Sequence, residues 1–178
     1  MLQQTQVSRV VDYYERFLTR FPTMDALAEA TPRRVRESWE GLGYYARARN
    51  LHALSRQVRA LPRDPAELRT LPGVGPYTAG AIASFAFETR APLVDTNVAR
   101  VLRRVFAPRA DFKTTRGRKK IWAIAESVLP RTGRSTWAHN QAIMELGALV
   151  CTARVARCDE CPVSSLCHSA RANTSSHS

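Results

Sequence analysis

All four cysteines of this 178-residue chain lie in one short stretch near its end: Cys151, Cys158, Cys161 and Cys167, separated by six, two and five residues. Thiols packed this closely point to a local metal centre. A disulfide framework fits poorly, because disulfide-stapled domains spread their cysteines and no secretory signal pattern opens the sequence. Zinc and an iron–sulfur cluster remain. Structural zinc usually takes two paired knuckles, and only Cys158 and Cys161 form a pair. The asymmetric run suits a [4Fe–4S] cluster anchored by a tight loop, with zinc as the alternative.

Hydrophobic residues make up 44% of the chain, enough to bury a core in one domain or two small helical lobes. No run is long and apolar enough for a transmembrane span, so a membrane role is not expected. Lys and Arg outnumber Asp and Glu by 27 to 15, a net charge of +12. Such an excess calls for a polyanionic partner, nucleic acid first, bound with a steep dependence on salt.

Apolar residues recur at helical spacing almost everywhere, and no segment alternates as a half-buried strand does, so the chain reads as all-α. Val10, Tyr14, Phe17 and Leu18 form one face of a first helix. Thr23 caps a helix from Met24 to Ala30, and Thr31 with Pro32 opens one that buries Val35 and Trp39 and stops near Gly41 and Gly43. Leu51, Leu54, Val58 and Leu61 stripe the next, which Pro62 and Pro65 end. Two more helices carry Val98, Val101, Leu102 and Val105, then Ile121, Ile124 and Val128. A last helix from about Thr136 to Val150 is apolar on most sides and is expected to run through the centre of a lobe. Arg171 to Ser178 reads as disordered.

Between two helices lies Leu71-Pro72-Gly73-Val74-Gly75-Pro76-Tyr77-Thr78-Ala79-Gly80. Gly73 and Gly75 permit a tight turn whose backbone can approach another surface, and Pro76 suits a first helical position. The pattern is either a plain helix–helix turn or a helix-hairpin-helix that grips backbone phosphate without reading sequence. Asp95, just ahead of an amphipathic helix, reads as an N-cap on sequence alone, with a catalytic carboxylate as the sharper alternative.

Five segments in order resemble the catalytic core of MutY-type adenine DNA glycosylases. They are Met1-Leu-Gln-Gln-Thr-Gln-Val7, Gly41-Leu-Gly-Tyr-Tyr-Ala-Arg-Ala-Arg-Asn50, the hairpin, Val94-Asp95-Thr96-Asn97-Val98 and the cysteine loop. The likeness covers residues 1 to 169, with the hairpin at about 65–87, the cluster loop at 151–167 and a disordered tail at 170–178. It implies a helix-hairpin-helix glycosylase fold, all-α, of two helical lobes with a [4Fe–4S] loop. The hairpin, aspartate and cluster are shared with the wider superfamily, endonuclease III included, whereas the Leu-Gln-Gln-Thr-Gln and Gly-Leu-Gly-Tyr-Tyr segments point to the adenine branch. Thr96 stands where that branch often has glycine.

The resemblance implies a chemistry for named residues. Asp95 is the catalytic carboxylate and Asn97 assists beside the reacting sugar. Tyr77 occupies the position where bifunctional relatives carry a Schiff-base lysine, so hydrolysis without strand cleavage is expected. Gln3, Gln4, Thr5 and Tyr44 match residues that enter the duplex beside the estranged base, and Leu2 and Gln141 match the adenine pocket. His139-Asn140 replaces the family's Phe-Asn there, while His52, His168 and His177 read as surface residues. Gly73 and Gly75 of the hairpin, Arg47, Arg49, Arg154 and Arg157 are candidates for phosphate contacts.

The implied partner is double-stranded DNA bearing adenine opposite 8-oxoguanine or guanine, handled by a monomer in a bacterial-type cytoplasm. Thymine mismatch glycosylases and a non-catalytic lesion-binding module are the alternatives. The family's further domain for 8-oxoguanine follows the cluster and would lie beyond Ser178. Its glutamate that protonates adenine precedes the Met-Leu-Gln-Gln-Thr segment and would lie before Met1. General acid catalysis is worth about 10²- to 10⁴-fold, so the chain from Met1 is expected to release adenine slowly or not at all.

Overall fold

The computed structural model describes Met1 and residues 5–174, so Leu2, Gln3, Gln4 and His177 lie outside the described residues. The ordered elements are helical: α1 (Val7–Arg20), α2 (Met24–Glu29), α3 (Pro32–Glu37), α4 (Ala46–Ser55), α5 (Pro65–Leu68), α6 (Pro76–Ala81), α7 (Thr96–Phe106), α8 (Thr115–Ser127), α9 (Gly133–Glu145) and α10 (His168–Thr174). Wider π-helical turns extend α6 over Ile82–Ala86 and α9 over Leu146–Val150. Among the described residues there is no strand beyond one isolated bridge between Cys151 and Ala156, and no helix is long and apolar enough to cross a membrane.

Local chemistry starts several of these helices. Side-chain oxygens of Thr23, Thr31, Asp95, Thr114 and Thr132 each accept an N–H from the first helical turn that would otherwise lack a partner. Pro32 and Pro76 follow at first-turn positions, where a missing N–H costs nothing.

The chain divides into two compact units, Met1–Pro62 with Glu67–Val74, and Arg63–Ala66 with Gly75–Ser178. In the first, Val10, Phe17, Phe21, Leu27, Val35 and Trp39 form the core, with Phe17 edge-on to Phe21 and Trp39 at centroid separations of 5.0 and 5.7 Å. In the second, Leu93, Val94, Val98, Leu102, Ile121 and Ala125 are buried together. A further buried group joins Val101 and Val105 of α7 to Cys151 and Cys167.

Several sequence expectations need correction. Helix α1 turns Val10, Tyr13 and Phe17 inward, while Tyr14 and Leu18 join Val7 and Val11 on an exposed stripe, because both sides of this helix are apolar. Helix α4 stops at Ser55, whose hydroxyl donates to the His52 carbonyl, so Val58 and Leu61 lie beyond it. His52 is buried rather than superficial, since it shares the inward face with Ala48. The stretch from Thr136 to Val150 is not a central helix. Trp137 and Leu149 are exposed, and its buried side chains include Thr136 and Asn140, the latter donating to Ser84 Oγ and the Ala91 carbonyl. Residues 170 to 174 belong to α10, not to a disordered tail, and the Arg171 amide bonds to the Cys167 carbonyl.

The two hairpin glycines differ. Gly73 has φ +76°, and an added Cβ would stand 2.6 Å from the Asn50 Cβ. Gly75 has φ −80° and open space where a Cβ would go. Gly73→Ala is therefore expected to destabilise by about 1–3 kcal/mol, whereas Gly75→Ala stays within about 0.5 kcal/mol of the parent, measured by urea denaturation. Equal effects of the two substitutions would contradict this description of the turn.

Candidate active site and cysteine cavity

In the second unit the site is built on the start of α7. Asp95 is its N-cap, with Oδ1 accepting the Val98 N–H at 2.7 Å. Helix α6 reaches this region because residue 80 is glycine, where a Cβ would collide with the Pro92 carbonyl oxygen. Tyr77, one turn before Gly80, packs half-buried on the core that holds Leu93 and Val94. Its phenol is pushed above the ordinary tyrosine range, first by burial and then by the charge of Asp95. The Tyr77 phenol therefore keeps its proton at neutral pH, within electrostatic reach of Asp95.

Asn97 Oδ1 accepts from Arg100 Nη2 at 2.8 Å. Gly147 lets the π-turn after α9 pack on Asn97, with a hypothetical Cβ 2.9 Å from the Asn97 Cβ. Gln141 lies on α9, and its amide donates to Glu145 at 2.8 Å. The neighbouring His139 is held below the ordinary histidine range by burial, and so is neutral at pH 7.

The four cysteines line one cavity of about 160 Å³, walled also by Val101 and Leu146. Burial, then the charges of Cys167, Cys151 and Cys161, push the Cys158 thiol up, so all four sulfurs are electrostatic neighbours. Yet no group of three or more His, Cys, Asp or Glu among the described residues is gathered tightly enough for a single metal ion. A tetrahedral zinc, with sulfur at about 2.3 Å, needs its ligands nearly in contact. Four thiols around an open volume fit a polynuclear group better.

Sequence reasoning missed the two arginines that tie α7 to this loop. Arg100 Nε donates to the Cys151 carbonyl at 2.8 Å, and its Nη2 donates to the Gly147 carbonyl. Arg104 reaches Cys151 and Thr152. Their spacing on α7, four residues apart and so on one face of the helix, was the available signal. Arg154 and Arg157 are exposed on the loop, and Arg157 pairs with Glu160 at 3.5 Å.

In the first unit Tyr44 is 62% exposed at φ +47°, an uncommon conformation for a bulky residue, following Gly43 at φ +70°. Arg47 is engaged within the protein. Its guanidinium donates to the carbonyls of Met1, Leu42 and Gly43 and to Thr5 Oγ1, and lies 5.5 Å from the ring centres of Trp39 and Tyr44. It thereby brings Thr5 and Tyr44 together. Arg49 is exposed, and so are Gly73 and Gly75 of the hairpin.

The Tyr77–Asp95 pairing is open to direct measurement. Alkaline titration of tyrosine absorbance, parent minus Tyr77→Phe, is expected to isolate one phenol ionising above about pH 10, and Asp95→Asn should bring it down. A Tyr77 titration unmoved by Asp95→Asn would contradict the pairing.

Residues 1–127 match the HhH-GPD superfamily base excision DNA repair protein family. The chain is 46% identical over 173 residues to the adenine DNA glycosylase of Homo sapiens, covering 94% of this chain and 31% of that protein. It is 43% identical over 169 residues to the adenine DNA glycosylase of Mycolicibacterium smegmatis, covering 92% and 56%. The chain thus spans roughly a third to a half of these relatives' length. A solved thermostable thymine-DNA glycosylase superposes with TM-score 0.84 at 27% identity, over 96% of this chain and 80% of that one. An endonuclease III–DNA covalent intermediate superposes at 0.79 with 23% identity, over 97% and 81%, a likeness of fold. With a matching family over most of its length and the expected helical architecture, the chain belongs to the HhH-GPD superfamily of base excision DNA repair proteins.

Proposed function

We propose that this chain is the catalytic core of a monofunctional DNA glycosylase that hydrolyses the N-glycosidic bond of adenine mispaired with 8-oxoguanine or guanine. The observation that carries the reading is Asp95 fixed at the head of α7 with the protonated Tyr77 as its neighbour. The adenine DNA glycosylases at 43–46% identity support the choice of base.

As the glycosidic bond stretches, positive charge builds on the sugar, and the Asp95 carboxylate stabilises it. Tyr77 donates a hydrogen bond in the site and has no amine with which to form an imine. Asn97, anchored by Arg100, assists beside the sugar. Gln141 exchanges its bond to Glu145 for the edge of the extruded base, and Leu2 is assigned to base recognition on the family resemblance of its segment alone. On the first unit, Gln3, Gln4 and Thr5 enter the duplex with the exposed ring of Tyr44. The open Gly73–Gly75 turn, Arg49, Arg154 and Arg157 bind backbone phosphate of a DNA duplex, as the net charge of +12 favours. The protein works as a monomer in the cytoplasm.

Cys151, Cys158, Cys161 and Cys167 hold a [4Fe–4S] cluster, the polynuclear group that their cavity fits. When bound, the cluster supplies iron–thiolate bonds that close the loop and add to folding free energy. Purified protein is expected to be yellow-brown and to contain iron. Zinc without iron in elemental analysis would contradict the assignment.

Single-turnover base release from duplexes with adenine opposite 8-oxoguanine, adenine opposite guanine, and thymine opposite guanine tests the substrate. Adenine is expected from the first two, and Asp95→Asn should cut the rate by about 10²- to 10³-fold while duplex binding persists. Release of thymine alone would favour the thymine mismatch reading, and tight binding with no release the binding-module reading.

A further inference from the structure

Arg104 stands on α7 with its half-buried guanidinium facing the cysteine cavity. Its Nη1 donates to the Thr152 carbonyl at 2.7 Å and to the Cys151 carbonyl at 3.3 Å, and lies 3.2 Å from the Cys151 sulfur. The Cys167 thiol sits 3.4 Å from the Arg104 backbone carbonyl. One residue therefore touches both the first and the last cysteine of the run. Arg100 differs, since it reaches the Cys151 carbonyl but not its sulfur.

A guanidinium in this place acts in two separable ways. Its bonds to two carbonyls fix where Cys151 presents its sulfur. Its charge and its N–H draw electron density from that sulfur, which favours the more negatively charged, reduced state of any metal group bound there. We infer that Arg104 is a positioning residue that holds the Cys151 ligand and raises the reduction potential of the cluster through the N–H aimed at its sulfur. This rests on the iron–sulfur reading above.

The test uses the full chain reconstituted with ferrous iron and sulfide, comparing the parent with Arg104→Met, Arg104→Lys and Arg103→Met. Iron per chain, the rate of iron loss to a chelator and the midpoint potential are measured. Arg104→Met is expected to lose iron at least tenfold faster. Its ratio of reduced to oxidised cluster at a fixed potential should fall about tenfold, equivalent to about 59 mV for a one-electron couple. Arg104→Lys keeps the charge without the planar fork, so it should restore most of the potential but not the retention. Arg103→Met, a charge loss on the same helix without a sulfur contact, should leave both near the parent.

Faster iron loss with an unmoved potential would show a purely structural strut and overturn the tuning role. Unchanged iron loss and potential in Arg104→Met would overturn the inference entirely. If Arg104→Met does not fold, Arg104→Gln, which loses the charge, decides: faster iron loss with a lowered potential supports the inference, and a parental potential refutes the tuning role. A parent protein that takes up zinc and no iron overturns the cluster reading and this inference together, whereas an iron-loaded parent with unaffected variants overturns this inference alone.

Discussion

The hydrogen bond from the Val98 amide to Asp95, 2.7 Å long, sets the start of α7, and α7 organises the whole second unit. A cap of this kind is worth about 1 kcal/mol and fixes the carboxylate's direction. Val98 and Leu102 bury one side of the helix in the unit's core, and Val101 and Val105 form the wall behind Cys151 and Cys167. Arg100 and Arg104 bond outward to the loop that carries those cysteines. Eleven residues of helix, about 16 Å, therefore span the distance between the carboxylate and the cysteine cavity.

Two glycines make the close packing around this helix possible. At Gly80 the absence of a side chain lets α6 lie against the Pro92 carbonyl, which brings Tyr77 within electrostatic reach of Asp95. At Gly147 the π-turn before Cys151 comes against Asn97. Burial and the charge of Asp95 both keep the Tyr77 proton in place, so a neutral donor stands within electrostatic reach of the carboxylate. That combination suits stabilisation of a cationic sugar rather than nucleophilic attack.

Much of this was legible in the sequence because it is local chemistry. Thr23, Thr31 and Asp95 announce helix starts through bonds to residues three positions on, and the faces of α7 and α8 follow from spacing alone. The phase of α1 was misread because Val7, Val11, Tyr14 and Leu18 compose a second apolar stripe, and periodicity cannot say which stripe is inside. Apolar composition also suggested a central helix after Thr136, where the buried positions include a threonine bonded back to the Thr132 carbonyl and an asparagine whose partners lie 49 and 56 residues away. Arg47, Arg100 and Arg104 illustrate the same limit. A charged residue reads as a surface or phosphate contact until the carbonyls that it binds, up to 51 residues away, are brought alongside.

The central claim is that Asp95 and Tyr77 carry out hydrolysis with no covalent imine to the protein. The most direct measurement follows the products from a duplex containing adenine opposite 8-oxoguanine, with and without borohydride, by gel and mass spectrometry. The account predicts free adenine and a full-length strand that breaks only on treatment with alkali, and no protein–DNA adduct after borohydride. Strand breakage without alkali, or a borohydride-trapped adduct, would contradict it.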